Sequence, residues 1–274
     1  MESRPHPTST KDYLARIRYA GKIEPTLGVL AALQEAHLLA VPFENLDIHA
    51  GTPILIDLPS LYRKIVATKR GGFCYELNGL FHWLLVELGF NNKLLSGRVY
   101  DRSTGEYGPE FDHMLSLTEI DGQRWLVDVG FGDFATRPLE FVVDQPLMDP
   151  NGEFLIERRD EESYRVSRFL LQDNRYVPEY CFSLKERCLE DFAGMCLFHQ
   201  TSPKSHFTRK TICSIATHDG RITLSDNRLI VTEHRTRSET VVSEWLEYSA
   251  ALARYFGIIW TDSPLRFPAL SSRF

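Results

Sequence analysis

The sequence predicts an α+β protein: a helical N-terminal unit, then an antiparallel sheet or barrel, then a mixed α/β region. Three observations carry this. Apolar residues recur at helical spacing as far as Leu88. Beyond it the pattern turns to short strand-like runs, with an Asp121-Gly122 hairpin signal between two of them. The connections between these runs are too short for crossover helices, which excludes a parallel βαβ arrangement. The expected division is residues 1–90, 91–185 and 186–274.

Each element has its own signal. Ser9-Thr10-Lys11-Asp12 caps a helix carrying Tyr13, Leu14 and Ile17. Pro25 introduces a second helix, from Thr26 to about Leu39, and Pro42 forces Val41 out of helical geometry. Asp57-Leu58-Pro59 starts a third, to about Thr68. Gly71-Gly72 then feeds a helix whose apolar face is Leu77, Leu80, Phe81, Leu84, Leu85 and Leu88, with Gly89 as its stop. Strands are expected at 94–100, 111–120 and 123–129, then near 138–143, 153–159, 163–171 and 178–182. A helix follows at 186–199, broken by Ser202-Pro203. Segments 211–217 and 221–232 form a hairpin around Asp219-Gly220. The last helix is expected over 238–256, with Val241, Val242, Trp245, Leu246, Ser249 and Leu252 on its apolar face.

Composition narrows the function classes. The 274 residues are 43% hydrophobic and 25% charged, with a formal charge of -6 and a pI near 5.9. No basic stripe suits nucleic acid, and no apolar run approaches a membrane span. The first ten residues read as neither signal peptide nor apolar anchor. The five cysteines, at 74, 181, 188, 196 and 213, form no CxxC pair, so no thiolate metal site and no disulfide framework is expected. A reducing cytoplasm is the simplest home.

The chemistry centres on Arg70-Gly-Gly-Phe-Cys-Tyr-Glu-Leu-Asn78. Cys74 falls in the first turn of its helix, where free N–H groups and the helix dipole favour a thiolate. Position alone also admits an inert core cysteine. A nucleophilic cysteine needs a base, and the base an orienter. With Asp121-Gly122 as the turn, Ile120 faces Gln123, Leu115 faces Asp128 and His113 faces Gly130. His113 and Asp128 are then diagonal neighbours on one side of the sheet. Asp128 sits among Trp125, Leu126, Val127, Val129 and Phe131, where a carboxylate needs a partner. Phe43, Val99 and Phe131 are candidates for lining a substrate pocket. Gly130 and Gly132 lack the context of a phosphate loop. An Arg70–Glu76 ion pair, and an Asn78 bond to backbone near Asn45, are expected as structural features. Cys188 and Cys196 are expected inside a helix.

These motifs resemble the arylamine N-acetyltransferases. The matching pieces are Val41-Pro-Phe-Glu-Asn-Leu46, the Cys74 stretch, His113-Met-Leu115, Trp125-Leu-Val-Asp128-Val-Gly-Phe-Gly132 and Arg137-Pro-Leu139. They follow in the family's order and separation, most strongly from 41 to 139. The resemblance implies a helical bundle carrying the nucleophile, a β-barrel carrying His and Asp, and an α/β lid, around a cysteine-proteinase-like core. It implies a Cys74–His113–Asp128 triad that takes acetyl from acetyl-coenzyme A, as cosubstrate, and passes it to an aromatic amine, an N-arylhydroxylamine or a hydrazine. It also implies that Phe131 and Gly132 meet the pantetheine arm. No tightly bound cofactor is expected. The residues themselves leave open a thiol protease or transglutaminase, or a non-catalytic binding relative. The oligomeric state is also open.

Overall fold

A computed structural model describes residues 8–234 and 236–261. The N-terminal helices begin where their caps predict. Ser9 accepts the Asp12 N–H ahead of Thr10–Arg16, Thr26 that of Val29 ahead of Leu27–Ala40, and Asp57 that of Ser60 ahead of Leu58–Tyr62. Val41 is extended, as a residue before proline must be. Two details depart from the sequence reading. The third helix widens into a π-helical turn, Arg63–Ala67, closed by the Thr68 N–H on the Arg63 carbonyl. A short helix, Leu46–Ala50, ends at Gly51 in the left-handed region.

The helix Cys74–Glu87 is the centre of the N-terminal core. Its Leu77, Leu80, Phe81, Leu84 and Leu85 pack with Tyr13, Leu30, Leu33 and Ile65. Burying each such side chain contributes about 1.5–3 kcal/mol relative to exposure.

The helix lies against the strand His113–Ile120 of a nearly closed antiparallel barrel. The barrel path runs 139–140, 123–127, 113–120, 91–101, 175–183, 163–170, 152–158, 146–149. Its core holds Leu115, Phe134, Phe154, Tyr180 and Phe182. The hairpin register is the one Asp121-Gly122 dictates, from Ile120–Gln123 to Ser116–Val127. The ladder stops there, so Asp128 stands just past the end of its strand. The strand expected over 138–143 is only Leu139–Glu140, and Pro146–Asp149 is an additional strand.

The last third departs most from the sequence reading. Residues 186–188 are not helical: the Arg187 N–H bonds the Leu94 carbonyl of the strand 91–101, beyond the end of its pairing with 175–183. A 3₁₀ turn, Leu189–Phe192, and the helix Ala193–Thr201 follow. The 221–232 segment is two strands, Gly220–Ser225 and Arg228–Glu233, because Asp226 takes the left-handed geometry of a tight turn with Asn227. Residues 236–241 pair with that second strand, so the final helix begins only at Trp245. Its buried face is Tyr248, Ala251, Leu252 and Phe256, while Val241 and Leu246 are exposed.

Phe43–Glu44 joins this C-terminal sheet as its first strand, pairing with Cys213 and Ser214. Asn45 locks the junction. Its Nδ2 donates to the Phe207 and Lys210 carbonyls, and its Oδ1 accepts the Ile212 N–H.

Candidate functional site

The Gly-Gly turn exists because the backbone passes too close for side chains. A Cβ on Gly71 would stand 1.9 Å from the Pro42 carbonyl oxygen, and one on Gly72 2.7 Å from Glu76. The turn is held from behind by buried charges. Arg70 donates to Glu44 through Nε and Nη2, at 2.9 and 2.7 Å, and reaches Asp47 at 2.9 Å. Lys64 pairs with Asp47 and Glu76, each at 2.8 Å. The expected Arg70–Glu76 pair is therefore replaced: Glu44 and Asp47 take Arg70, and Lys64 takes Glu76. Three carboxylates face two cations. Burial pushes the Glu76 carboxyl up to about 7, Lys64 opposing and Glu44 adding to it. Burial also acts upward on Asp47, but Lys64 and Arg70 outweigh it and hold that carboxyl below its ordinary value. Glu76 also accepts the Phe73 N–H at 3.1 Å, capping the helix start just before Cys74.

Cys74, His113 and Asp128 are all buried, at 3, 2 and 2% exposure. His113 Nε2 lies 2.7 Å from Asp128 Oδ2, so an N–H on that nitrogen donates to the carboxylate and Nδ1 is the nitrogen left over. Asp128 Oδ1 accepts the Asn78 amide and the Gly130 N–H, both at 2.9 Å. Asn78 does not reach the Asn45 backbone. Four residues after Cys74, it lies on the cysteine's helix face, and it also donates to the Met114 carbonyl and accepts the Val129 N–H. It ties helix to hairpin with every polar group paired. That spacing was the available signal. Gly130 closes the same contact: a Cβ there would stand 2.8 Å from Cys74 Cα.

Burial pushes the Cys74 thiol well up. The Met114 N–H on the sulfur opposes this, and the Asp112 and Asp128 carboxylates push it further up. A base beside the thiol therefore assists the loss of its proton.

Cys74 and His113 both line a cavity of about 440 Å³, and so do Phe43, Val99, Phe131 and Gly132. Its far wall comes from late in the chain, through His206, Phe207, Lys210, Ile212, Ser214, Arg221 and Thr223. Arg221 donates to the Gly132 carbonyl at 2.6 Å, holding the glycine loop at the mouth. Phe131 packs edge-on against His113 and Tyr180. A larger opening of about 700 Å³, lined by Arg98, Arg159 and Arg187 among others, touches none of Cys74, His113 and Asp128. Among the described residues no group of His, Cys, Asp and Glu is arranged to hold a metal ion. None of the other cysteines lines the cavity that Cys74 lines, although Cys196 packs in the same buried cluster as Cys74. Cys181, Cys196 and Cys213 are buried, whereas Cys188 is exposed and starts the 3₁₀ turn instead of lying inside a helix.

Known proteins match the chain along most of its length. A family model described as N-acetyltransferase matches residues 26–263. Human arylamine N-acetyltransferase 1 is 34% identical, covering 86% of this chain and 91% of that protein. The structure of the Salmonella typhimurium arylamine N-acetyltransferase superposes with a TM-score of 0.86 at 29% identity, covering 94% of both chains. That of the Mycobacterium marinum enzyme in complex with CoA gives 0.84 at 29% identity, covering 91% of this chain and 93% of that one. A cysteine at a helix start, a histidine–aspartate hairpin and this match along most of the chain lead to one assignment: the protein belongs to the arylamine N-acetyltransferase family.

Proposed function

We propose that Cys74, His113 and Asp128 perform the acetyl transfer of this family, from acetyl-coenzyme A to small aromatic amines and hydrazines. The observation that carries the assignment is the 2.7 Å His113–Asp128 bond beside the cavity that Cys74 also lines. Asp128 holds the Nε2–H tautomer and stabilises the imidazolium once it forms. His113 Nδ1 takes the Cys74 proton, against the upward push of burial on the thiol. The sulfur attacks the thioester carbonyl, coenzyme A leaves with that proton, and acetyl-cysteine remains. The amine then attacks. Its proton passes through His113 to the departing sulfur. Phe43, Val99 and Phe131 give the aryl ring an apolar wall, and Phe131 with Gly132 meets the pantetheine arm. Five free cysteines suit a reducing compartment, the cytoplasm.

The test is intact mass after mixing with acetyl-coenzyme A and no acceptor. One acetyl group, about 42 mass units, should add and map to Cys74. Acetyl on another residue, or none on protein that turns over amines, would overturn the assignment. The same assay separates this reading from a thiol protease, whose acyl donors are peptides.

A further inference from the structure

We propose that Asp112, clamped by the buried His199, receives the attacking amine: its carboxylate accepts one N–H of the acceptor and stabilises the positive charge its nitrogen gains. This rests on the acetyl-cysteine reading above.

Asp112 stands immediately before His113 and lines the same cavity, yet takes no part in the His113–Asp128 pair. Its surroundings hold it firmly. Oδ1 lies 3.1 Å from His199 Nε2, and Oδ2 accepts the Val99 N–H at 3.3 Å. His199 Nδ1 lies 2.9 Å from Ser205 Oγ, which itself accepts the Phe207 N–H. The Tyr75 hydroxyl donates to the carbonyls of Phe111 and Asp112. Phe111 is held in the left-handed region at φ 66°, a costly geometry for a bulky residue. Gly108 leaves room for the carboxylate, since a Cβ there would stand 2.4 Å from Asp112 Oδ2.

The Asp112 side chain keeps 15% of its surface and His199 only 4%, so the clamp is buried while the carboxylate stays reachable. A carboxylate offers about four lone-pair positions, and these two donors occupy one on each oxygen. The remaining positions can accept from a ligand.

A primary amine brings two N–H groups. In the second half-reaction the N–C bond forms, the C–S bond breaks, and one proton moves from nitrogen through His113 to sulfur. Asp112 takes no proton. It holds the other N–H while the nitrogen is cationic, an interaction stronger in the transition state than before it. The apolar walls from Phe43, Val99 and Phe207 are left for the ring. In the first half-reaction no acceptor amine is present, and Asp112 has no such partner.

The test is a split between half-reactions in Asp112→Asn. Single-turnover acetylation of Cys74 by acetyl-coenzyme A measures the first half. kcat/KM for 4-methylaniline, which in a ping-pong scheme reports only the reaction of the acetyl-enzyme, measures the second. The second should fall about tenfold to a hundredfold more than the first, as for loss of a charge-assisted contact. His199→Gln, which releases the clamp and keeps the carboxylate, should show the same split to a smaller degree and covers the case of an unfolded Asp112→Asn. Equal losses in both halves would assign Asp112 to positioning His113 and overturn the proposal. Failure of the native protein to acetylate at Cys74 would instead overturn the underlying catalytic reading.

Discussion

Replacing Asn78 with aspartate probes the contact that joins the cysteine helix to the His113–Asp128 hairpin. The side chain keeps its shape, and one oxygen still accepts the Val129 N–H. The other atom can no longer donate to the Met114 carbonyl at 2.6 Å or to Asp128 Oδ1 at 2.9 Å. Two carboxylates then share a buried site. With charge centres about 4 Å apart, their repulsion is about 4 kcal/mol at an effective dielectric constant of about 20. This corresponds to roughly three pKa units for the carboxyl that retains a proton. The protonated pair restores one bond, because an O–H stands where the amide N–H stood. The folded-state pKa thus lies above the unfolded value of about 4. A raised pKa gives stability that is fully present below the unfolded pKa and is lost as pH rises through the folded one. Asn78→Asp should therefore come close to the native stability near pH 4 and fall about 4 kcal/mol below it by about pH 8. Urea denaturation of both proteins across that range measures the difference directly. A difference that stays constant with pH would refute the reasoning, because it would mean that the two carboxylates do not share a proton.

Three further outcomes follow from the same geometry. In His113→Gln the buried Cys74 keeps a thiol pushed up by burial and loses its base, so iodoacetamide labelling of Cys74 between pH 6 and 8 should fall steeply. Exposed Cys188 serves as internal control in the peptide map, and an unchanged Cys74 rate would count against proton transfer to His113. Gly130→Ala places a methyl group 2.8 Å from Cys74 Cα and 2.7 Å from Asn78 Nδ2. It should lower kcat at least tenfold and destabilise the fold by about 1–3 kcal/mol, and native kinetics would show that loop and helix separate freely. The Glu76 carboxyl, pushed up to about 7, drains native stability as pH rises from about 4.5 to about 7, by about 3 kcal/mol in all. Glu76→Gln leaves two carboxylates balancing Lys64 and Arg70 and should flatten that slope in thermal melts at pH 5 and 8. A slope that persists places the proton elsewhere.

What the sequence made legible was local. The turn at Asp121-Gly122 sets a register by counting, and the register brings His113 toward Asp128. Helix caps at Ser9, Thr26 and Asp57 act over three residues and are read directly. What it hid was long-range or contested. The partners of Arg70 lie 23 and 26 residues away, so the nearer Glu76 looked the better choice. Asp112 and His199 are 87 residues apart, with no periodicity to link them. The segment 236–241 leads into apolar residues at helical spacing, Val241, Val242, Trp245 and Leu246, but Thr236, Thr240 and Val241 are β-branched and the neighbouring strand offers them a ladder. Asp226-Asn227 is a turn signal of the same kind as Asp121-Gly122, without the glycine that makes the latter stand out.

The Asn45 junction has a consequence for how the protein acquires its shape. Its side chain bonds Ile212 across 167 residues, so the clasp closes only after nearly all the intervening chain is in place. The cysteine helix and the His113–Asp128 hairpin lie within a stretch of 55 residues, Cys74 to Asp128, and can assemble much earlier. Contacts of such different span form on different timescales, and synthesis from the N-terminus widens the gap. The emerging chain thus passes through a stage with its nucleophile assembled but one wall of its cavity missing. Until Phe207, Ile212 and Ser214 arrive, Phe43–Glu44 is bridged only to Gly72, its other edge has no ladder, and the cavity beside Cys74 lacks that wall. Closing the Asn45 clasp covers both.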